Sequence, residues 1–527
     1  MSQKCDRRSF LKNICMSSLA FSSLGFFTKN CSRPSEDKRP NIIFILVDDM
    51  GWSDLGCYGS EIDTPTIDNL AQKGMRFTQC YNTAKSFPSR ACLLTGVYAQ
   101  QCGMGEDHGN ITNAVTLGEV LKTQGYRTLA SGKHHGDENL YNRGFDHYYG
   151  LRDGCCNFWN PGEKREGEPR PARKRTRYWC DDEKSYYPFT PEEKDFYTTD
   201  VFTDKALNWL EEPEAQENPF FLYLAYNAPH YPLHAWPEDI AKYEGKYDQG
   251  YQSIQKQRYK RQIKMGLIDP EITPIPDTPT PEPWEELDEK TAEKEKKRME
   301  IYAAMLDRVD QNICRLINKL EKQGKLDNTL ILFASDNGAC PNTPAAKYNS
   351  TKIKDFGTVG SYEAVGENWA TVQNTPLRYW KNWSHEGGIC TPLIAFWANN
   401  IKNPGSFYRE PVHFIDIMAT FVDITDANYP KTYRDENIVP MQGASILPAF
   451  NDKPIQRDKP LYWQWWKGGA VRKDDMKAVF FDENWELYNI EEDRNETEDL
   501  SKKRSSQLQN LKNKWKNWFK IVTDKTN

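Results

Sequence analysis

Two adjacent carboxylates, Asp48 and Asp49, directly follow the apolar run Asn41-Ile42-Ile43-Phe44-Ile45-Leu46-Val47, and an Asp336-Asn337-Gly338 cluster follows a second run, Leu330-Ile331-Leu332-Phe333. Neighbouring carboxylates repel one another unless a cation neutralises them, and an Asp-Asn pair adds hard oxygen ligands, so the combination points to Ca²⁺ or Mg²⁺. Either cluster alone reads equally as a turn or a helix cap. Their matching placement after apolar runs favours a shared cation site. A third segment, Ser86-Phe87-Pro88-Ser89-Arg90, leads into Ala91-Cys92-Leu93-Leu94-Thr95-Gly96. It reads as a helix start, with Pro88 in the first turn, where a missing N–H is tolerated. Such a terminus can hold an anion; the competing role for Ser86 is an ordinary helix cap.

For these groups to meet, the chain must bring several strand ends together. The 41–47 run is continuously apolar between Pro40 and Asp48, as a parallel strand buried on both faces requires. Ile301, Met305, Val309, Ile313, Leu316 and Leu320 recur at helical spacing; Gly324 and Asp327-Asn328 then mark turns before the 330 strand. A helix feeding a buried strand implies βαβ architecture, and residues 220–225 and 393–397 are further short apolar runs of this kind. The expected fold class is therefore α/β, with both acidic clusters at strand carboxyl ends, where open α/β sheets place ligands. Residues 160–300 are rich in charge and proline, including the stretch 284–298, and read as insertions over the sheet with only the 220 strand core-like. From Lys459 the pattern changes to short strands, as in Lys477-Ala478-Val479-Phe480-Phe481, and ends in a Lys- and Trp-bearing helix around 508–519. Residues 459–527 are expected to form a small α+β subdomain after a main domain spanning 38–458.

The strand ending in Asp48-Asp49-Met50-Gly51-Trp52, the Ser86–Arg90 segment with its Thr95-Gly96 tail, Gly132-Lys133-His134-His135-Gly136, Ala228-Pro229-His230, Ser335-Asp336-Asn337-Gly338, and Lys381 ahead of Glu386-Gly387-Gly388 occur in one order. That series resembles the type I formylglycine-dependent sulfatases of the alkaline phosphatase superfamily, from about residue 38 to the C-terminus. Several spaced motifs in order are far more specific than any one. The resemblance implies a large mixed, mainly parallel sheet sandwiched by helices, and hydrolysis of sulfate esters. Ser86 would be the serine variant of the residue oxidised to formylglycine, whose hydrate offers one hydroxyl to attack sulfur and another to drive release. Asp48, Asp49, residue 86, Asp336 and Asn337 would hold Ca²⁺ or Mg²⁺, which polarises the ester. Arg90, Lys133 and Lys381 would surround the sulfate with positive charge. His230, with Lys381, would protonate the leaving oxygen, and His135 would take the proton from the remaining hydroxyl. The family commonly has Lys-Trp-His where this chain has Lys133-His134-His135, so His135 is the expected acceptor and His134 the weaker contender. Glu386 and Asp54 are expected as structural supports. The serine variant resembles those matured by an anaerobic radical enzyme in the cytoplasm.

Residues 1–37 read as an address. Asp6-Arg7-Arg8-Ser9-Phe10-Leu11-Lys12 resembles a twin-arginine export signal, and residues 14–27 form an apolar stretch too short to span a bilayer comfortably. A periplasmic or extracellular protein without stable membrane insertion after processing is expected. Of 13 cysteines, Cys5, Cys15 and Cys31 lie in or near this leader, and the others show no paired zinc pattern. Cys155-Cys156 are candidates for disulfides or for buried thiols. A net charge of -6 argues against broad affinity for nucleic acid. The expected substrate is a sulfated carbohydrate, with Trp159, Trp179, Trp236 and Trp284 as stacking surfaces or as scaffold. Two alternatives stand beside this reading. A phosphate mono- or diester hydrolase of the same superfamily should show two clustered transition-metal sites rich in His and Asp. A non-catalytic sulfoglycan-binding protein would keep Ser86 unmodified.

Overall fold

The computed structural model describes residues 39–173, 175–344 and 352–524, so the twin-arginine segment and the leader cysteines lie outside the described residues. The main sheet has 11 strands. In chain order these are β1 (Asn41–Val47), β2 (Met75–Tyr81), β3 (Arg127–Gly132), β4 (His147–Leu151), β5 (Trp179–Asp181), β6 (Lys184–Tyr186), β7 (Phe220–Ala225), β8 (Thr329–Ser335), β9 (Cys390–Phe396), β10 (Phe407–Tyr408) and β11 (Val412–His413). Their spatial order is β10-β2-β9-β8-β1-β7-β3-β4-β5-β6, with β11 also paired to β2. From β8 through β1, β7 and β3 to β4 every pairing is parallel. β9 runs antiparallel to both β8 and β2. The expected mixed, mainly parallel sheet is therefore present.

β1 occupies the centre because its side chains leave no polar face. Residues from Ile42 to Val47 are all fully buried, and burying each such side chain stabilises the fold by about 1.5–3 kcal/mol. One helical layer comprises Pro65–Lys73, Thr198–Trp209 and Glu289–Lys322; the other comprises Ser86–Thr95, Leu117–Lys122 and Asp416–Thr425. The Glu289–Lys322 helix is capped by Asp288, whose carboxylate accepts the Thr291 N–H at 3.0 Å. Its apolar stripe from Ile301 to Leu320 is fully buried at the positions expected from spacing.

Two expectations for residues 160–300 need correction. The charged stretch 289–298 is the first part of that long helix rather than a surface excursion, and the charges from Glu295 to Arg298 pair off, as in Arg298 with Glu363 at 2.8 Å. The Thr198–Trp209 helix packs against β3, and the Gly250–Lys264 helix inserts a fully buried Arg258. The region thus contributes core as well as cover. Trp179 is buried against Phe189 and Phe202 and is scaffold, whereas Trp159, packed edge-on to Trp236, and Trp284, packed on Tyr251, are half-buried. The ten described cysteines, Cys155 and Cys156 included, are all free thiols. No helix among the described residues is long and apolar enough to cross a membrane.

Strands Leu461–Trp465, Gly468–Lys473, Met476–Phe481 and Asn484–Asn489 form an antiparallel sheet, against which the Ser505–Thr523 helix packs. This subdomain is fastened to the main sheet by buried polar contacts. The Trp463 indole donates to the Asn82 carbonyl at 2.7 Å, Arg472 donates to the Tyr81 hydroxyl at 2.7 Å, and Lys477 pairs with Glu386 at 2.8 Å.

Candidate active site

The strand directions decide which loops meet. β1, β3, β7 and β8 all end at one edge, delivering Asp48-Asp49, Lys133–His135, His230 and Asp336-Asn337. β2 shares that sense and leads to Lys85 and Ser86. Because β9 runs the other way, its start lies at this edge, and the segment before it brings Lys381 and Glu386. Close backbone approach fixes the junction: a Cβ on Gly338 would lie 1.8 Å from the Gly387 carbonyl oxygen. Asp49 and His135 both hold left-handed backbone, φ 66° and 65°. That conformation costs energy for a residue with a Cβ and persists where surrounding packing over-determines it.

Ser86 is the first residue of the helix Ser86–Thr95, with Lys85 in the cap position, so it does not act as the cap. Its hydroxyl instead donates to Asp336 Oδ2 at 2.5 Å and receives Arg90 Nε at 3.2 Å. Arg90 also donates to Asp336 Oδ2 at 2.8 Å and to the Lys133 carbonyl at 2.7 Å. His135 Nδ1 lies 3.1 Å from Ser86 Oγ. His134, by contrast, turns toward Glu138 at 3.8 Å, and neither of its buried ring nitrogens has a hydrogen-bond partner. Lys133 Nζ pairs with Asp48 Oδ2 at 2.5 Å, Lys381 Nζ with Asp49 Oδ1, and His230 Nε2 lies 3.4 Å from Asp49 Oδ2. All of the residues singled out in the sequence are thus brought into one cluster except His134, Glu386 and Asp54. The last two buttress it: Asp54 binds Arg258 at 2.6 Å and the Tyr302 hydroxyl at 2.7 Å, and Glu386 meets Lys477.

Charge in this dry cluster is strongly coupled. Burial pushes the Asp48 carboxyl up to about 7, with Asp336 adding repulsion and Lys133 opposing it. Burial would raise Asp49 too, but the Lys381 ammonium beside it holds it well below the usual carboxylate range. For Asp336, burial is overcome by Arg90 and then Lys133, and its carboxyl is lowered. Burial, then the neighbouring Lys133 and Lys85 charges, keep His135 well below the ordinary imidazole value. Burial brings His230 down to about 3, with Asp49 opposing and Lys381 reinforcing. Both imidazoles are therefore neutral near pH 7.

Asp48 Oδ1, Asp49 Oδ2 and Asn337 Oδ1 are buried oxygens without hydrogen-bond partners. Orphaned acceptors in a low-dielectric interior are costly. Asp48, Asp49 and His230 also present ligand atoms within 4.8 Å of one another. Hard oxygens of this kind, with carboxylates that repel one another, suit Ca²⁺ or Mg²⁺. His230 adds a nitrogen at the margin that the sequence reading had not counted among the ligands. Sequence reasoning also missed Lys85, half-buried with its ammonium 5.5 Å from the Trp465 ring, and Asn374. The latter accepts the Trp52 and Ala339 N–H groups and donates to the Tyr379 and Gly387 carbonyls, tying three site loops together. A lysine or asparagine in a loop carries no periodicity to betray such a role; only the adjacency of Lys85 to Ser86 was a signal.

Comparison with known proteins bears on this geometry. Residues 40–427 match the family model described as Sulfatase, and residues 378–523 match one described as N-sulphoglucosamine sulphohydrolase, C-terminal. An uncharacterized sulfatase of Schizosaccharomyces pombe is 31% identical over 92% of this chain and 94% of its own. An arylsulfatase of Klebsiella aerogenes is 32% identical over 78% of this chain and 92% of its own. The crystal structure of Ps i-CgsB in complex with k-i-k-neocarrahexaose is 27% identical, with a TM-score of 0.65, covering 91% of this chain and 92% of that one.

Proposed function

Because this chain belongs to the sulfatase family and is a sulfuric ester hydrolase, we propose that it cleaves a sulfate ester on a carbohydrate, using an oxidised Ser86 and a bound divalent cation. The observation that carries the proposal is the setting of Ser86, whose Oγ is met by Asp336, Arg90 and His135 at 2.5, 3.2 and 3.1 Å. A serine hydroxyl is a weak nucleophile near neutral pH, and formylglycine in its place supplies geminal hydroxyls for attack at sulfur and for release. Asp48, Asp49, Asp336 and Asn337, with the oxygen at residue 86, would hold Ca²⁺ or Mg²⁺. Bound there, the cation supplies Lewis-acid polarisation of the ester and lowers the cost of ionising a hydroxyl. Support for a carbohydrate comes from Ps i-CgsB, whose complex holds a neocarrahexaose.

The chain's own groups divide the remaining work. Arg90, Lys133 and Lys381 balance the three aspartates, so an added divalent cation leaves the pocket positive toward a sulfate monoester. Arg90 and Asp336 would orient the attacking oxygen at residue 86, and neutral His135 would take the proton of the second hydroxyl, whose O–H electrons form the aldehyde as the carbon–oxygen bond to sulfate breaks. His230 rests Nδ1 against the Tyr231 carbonyl at 2.5 Å, which leaves Nε2 toward the site. An arriving anionic sulfate raises the affinity of that nitrogen for a proton, which it passes to the leaving oxygen with Lys381 beside it. The leader residues are read as a twin-arginine signal, so maturation by an anaerobic radical enzyme in the cytoplasm would precede export of the folded chain.

The test is mass spectrometry of the peptide containing Ser86, from protein co-produced with its maturing enzyme, alongside sulfate release from sulfated sugars with Ca²⁺ and with chelator. Loss of two hydrogens at residue 86 is expected, with release abolished by chelation and lowered at least about 10³-fold in Ser86→Ala. Unmodified Ser86 with full cation-dependent turnover would sink the formylglycine assignment. Full turnover in the chelator would sink the cation.

A further inference from the structure

A second cationic feature lies beside the active site and takes no part in the chemistry above. Arg173, Arg175 and Arg177 come close together just ahead of β5. They line a small cavity together with Cys155, Asn157 and Tyr362. Their counter-charges are few. Arg173 pairs with Glu163 at 2.7 Å; Arg177 and Arg175 share Asp153 Oδ1 at 3.5 and 3.7 Å, and the other oxygen of Asp153 already accepts the Tyr178 N–H. Arg177 is largely buried and also donates to the Cys155 thiol at 3.2 Å, whereas Arg175 is 60% exposed at the cavity mouth. Among the described residues, three guanidiniums face two carboxylates, an excess of positive charge at the cavity.

One residue separates this cavity from each proton-transfer histidine. Gly154, next to Cys155, packs on the His135 ring so closely that a Cβ would lie 2.5 Å from Nε2. On the other side, Tyr362 meets Tyr231 edge-on at 5.9 Å, and Tyr231 stacks on His230 at 4.4 Å. On a sugar chain long enough to reach past Gly154 or Tyr231, a group bound among the arginines belongs to the same molecule as the ester being cleaved. Guanidinium forks match carboxylate and sulfate oxygens in geometry.

We propose that Arg173, Arg175 and Arg177 form a recognition subsite for a second anionic group, a sulfate or a carboxylate, on the sugar that carries the scissile sulfate. The assignment rests on the carbohydrate reading of the active site. It makes the enzyme selective for multiply anionic glycans, and Arg175 its most accessible specificity determinant.

The experiment uses mature enzyme with Ca²⁺ on three probe sets: 4-methylumbelliferyl sulfate, singly sulfated disaccharides, and the same disaccharides bearing a second sulfate or a uronate carboxylate. Wild type is expected to favour the doubly anionic members. Arg175→Ala should lower kcat/KM on those about tenfold, chiefly through KM, with Arg175→Lys intermediate. Turnover of the aryl sulfate and of singly sulfated sugars should stay as in wild type, which also shows that the variant folds. The preference should shrink at high salt. Which doubly anionic set loses more in Arg175→Ala identifies the anion as sulfate or carboxylate. A wild type without preference, or a variant equally impaired on all three sets, overturns the subsite. Turnover of the aryl sulfate with no disaccharide cleaved refutes instead the carbohydrate reading on which it rests.

Discussion

Replacing Lys477 by methionine tests whether the C-terminal subdomain is held to the catalytic edge by buried charge. Lys477 Nζ lies 2.8 Å from Glu386 Oε1 and 2.7 Å from Glu496 Oε1, and all three side chains are fully buried. Burial pulls the lysine downward while Glu496 opposes it. Without the ammonium, Glu386 keeps Arg494 and the Tyr81 hydroxyl at 2.9 Å, while the Glu496 carboxylate keeps the Glu386 N–H at 2.8 Å and the more distant Arg378 charge. An uncompensated buried carboxylate of this kind costs about 3–5 kcal/mol, against about 0.2–1 kcal/mol for a surface pair. Lys477→Met should therefore lower the urea midpoint by an amount equivalent to about 3–5 kcal/mol, followed by tryptophan fluorescence, with Trp463 and Trp485 as reporters in the affected sheet. Adding Glu496→Gln removes the orphaned charge, and the double variant should fall short of the summed single losses by about 2 kcal/mol. Glu386 opens the segment that packs on the turn carrying Lys381, since a Cβ on Gly387 would lie 2.1 Å from the Tyr379 carbonyl oxygen. The same variant should thus lower kcat under conditions where it remains folded. A cost within about 1 kcal/mol of zero, or additive losses in the double variant, would refute the network as a buried tie.

Two further outcomes follow from the site's electrostatics. Burial, and then the Lys381 charge, bring Lys85 down to about 8; it is charged below that pH and loses its proton above it. kcat/KM for an anionic ester should fall as pH rises through about 8 in wild type and hold level in Lys85→Arg, and an unchanged alkaline limb in that variant would exclude Lys85 as its source. His135→Gln should lower kcat by about 10²–10⁴-fold with little change in KM, whereas His134→Gln should leave turnover near wild type; the reverse ranking in steady-state kinetics would reassign the proton acceptor.

Much of this molecule was legible without its coordinates, for reasons that are local. The unbroken apolar run from Ile42 to Val47 admits only a strand covered on both faces, and it is the fully buried centre of the sheet. The 3.6-residue recurrence from Ile301 to Leu320 specified a one-faced helix because hydrophobic burial acts on whichever residues share a face. The ordered motifs picked out Asp48, Asp49, Ser86, Arg90, Lys133, His135, His230, Asp336, Asn337 and Lys381, and these residues lie together in the structure. Charge density misled at 289–298: intervening polar residues hide helical period, and only the cap at Asp288 and the ion pairs reveal that the helix begins there.

What the tertiary structure alone decided are the pairings between distant segments. Lys381 meets Asp49, 332 positions away, because β9 runs opposite to its neighbours and starts where they end. The motif already favoured His135 over His134, but the left-handed backbone at residue 135 and the 3.1 Å approach of its Nδ1 to Ser86 Oγ are seen only in the structure. Arg258 reaches Asp54, and Lys477 reaches Glu386 and Glu496, across spans that no periodicity links. Side-chain hydrophobicity is a property of each residue and accumulates along the chain, so burial can be read locally. The strength of a charge pair depends on separation and on the surrounding dielectric, and both exist only once strand order has closed the site.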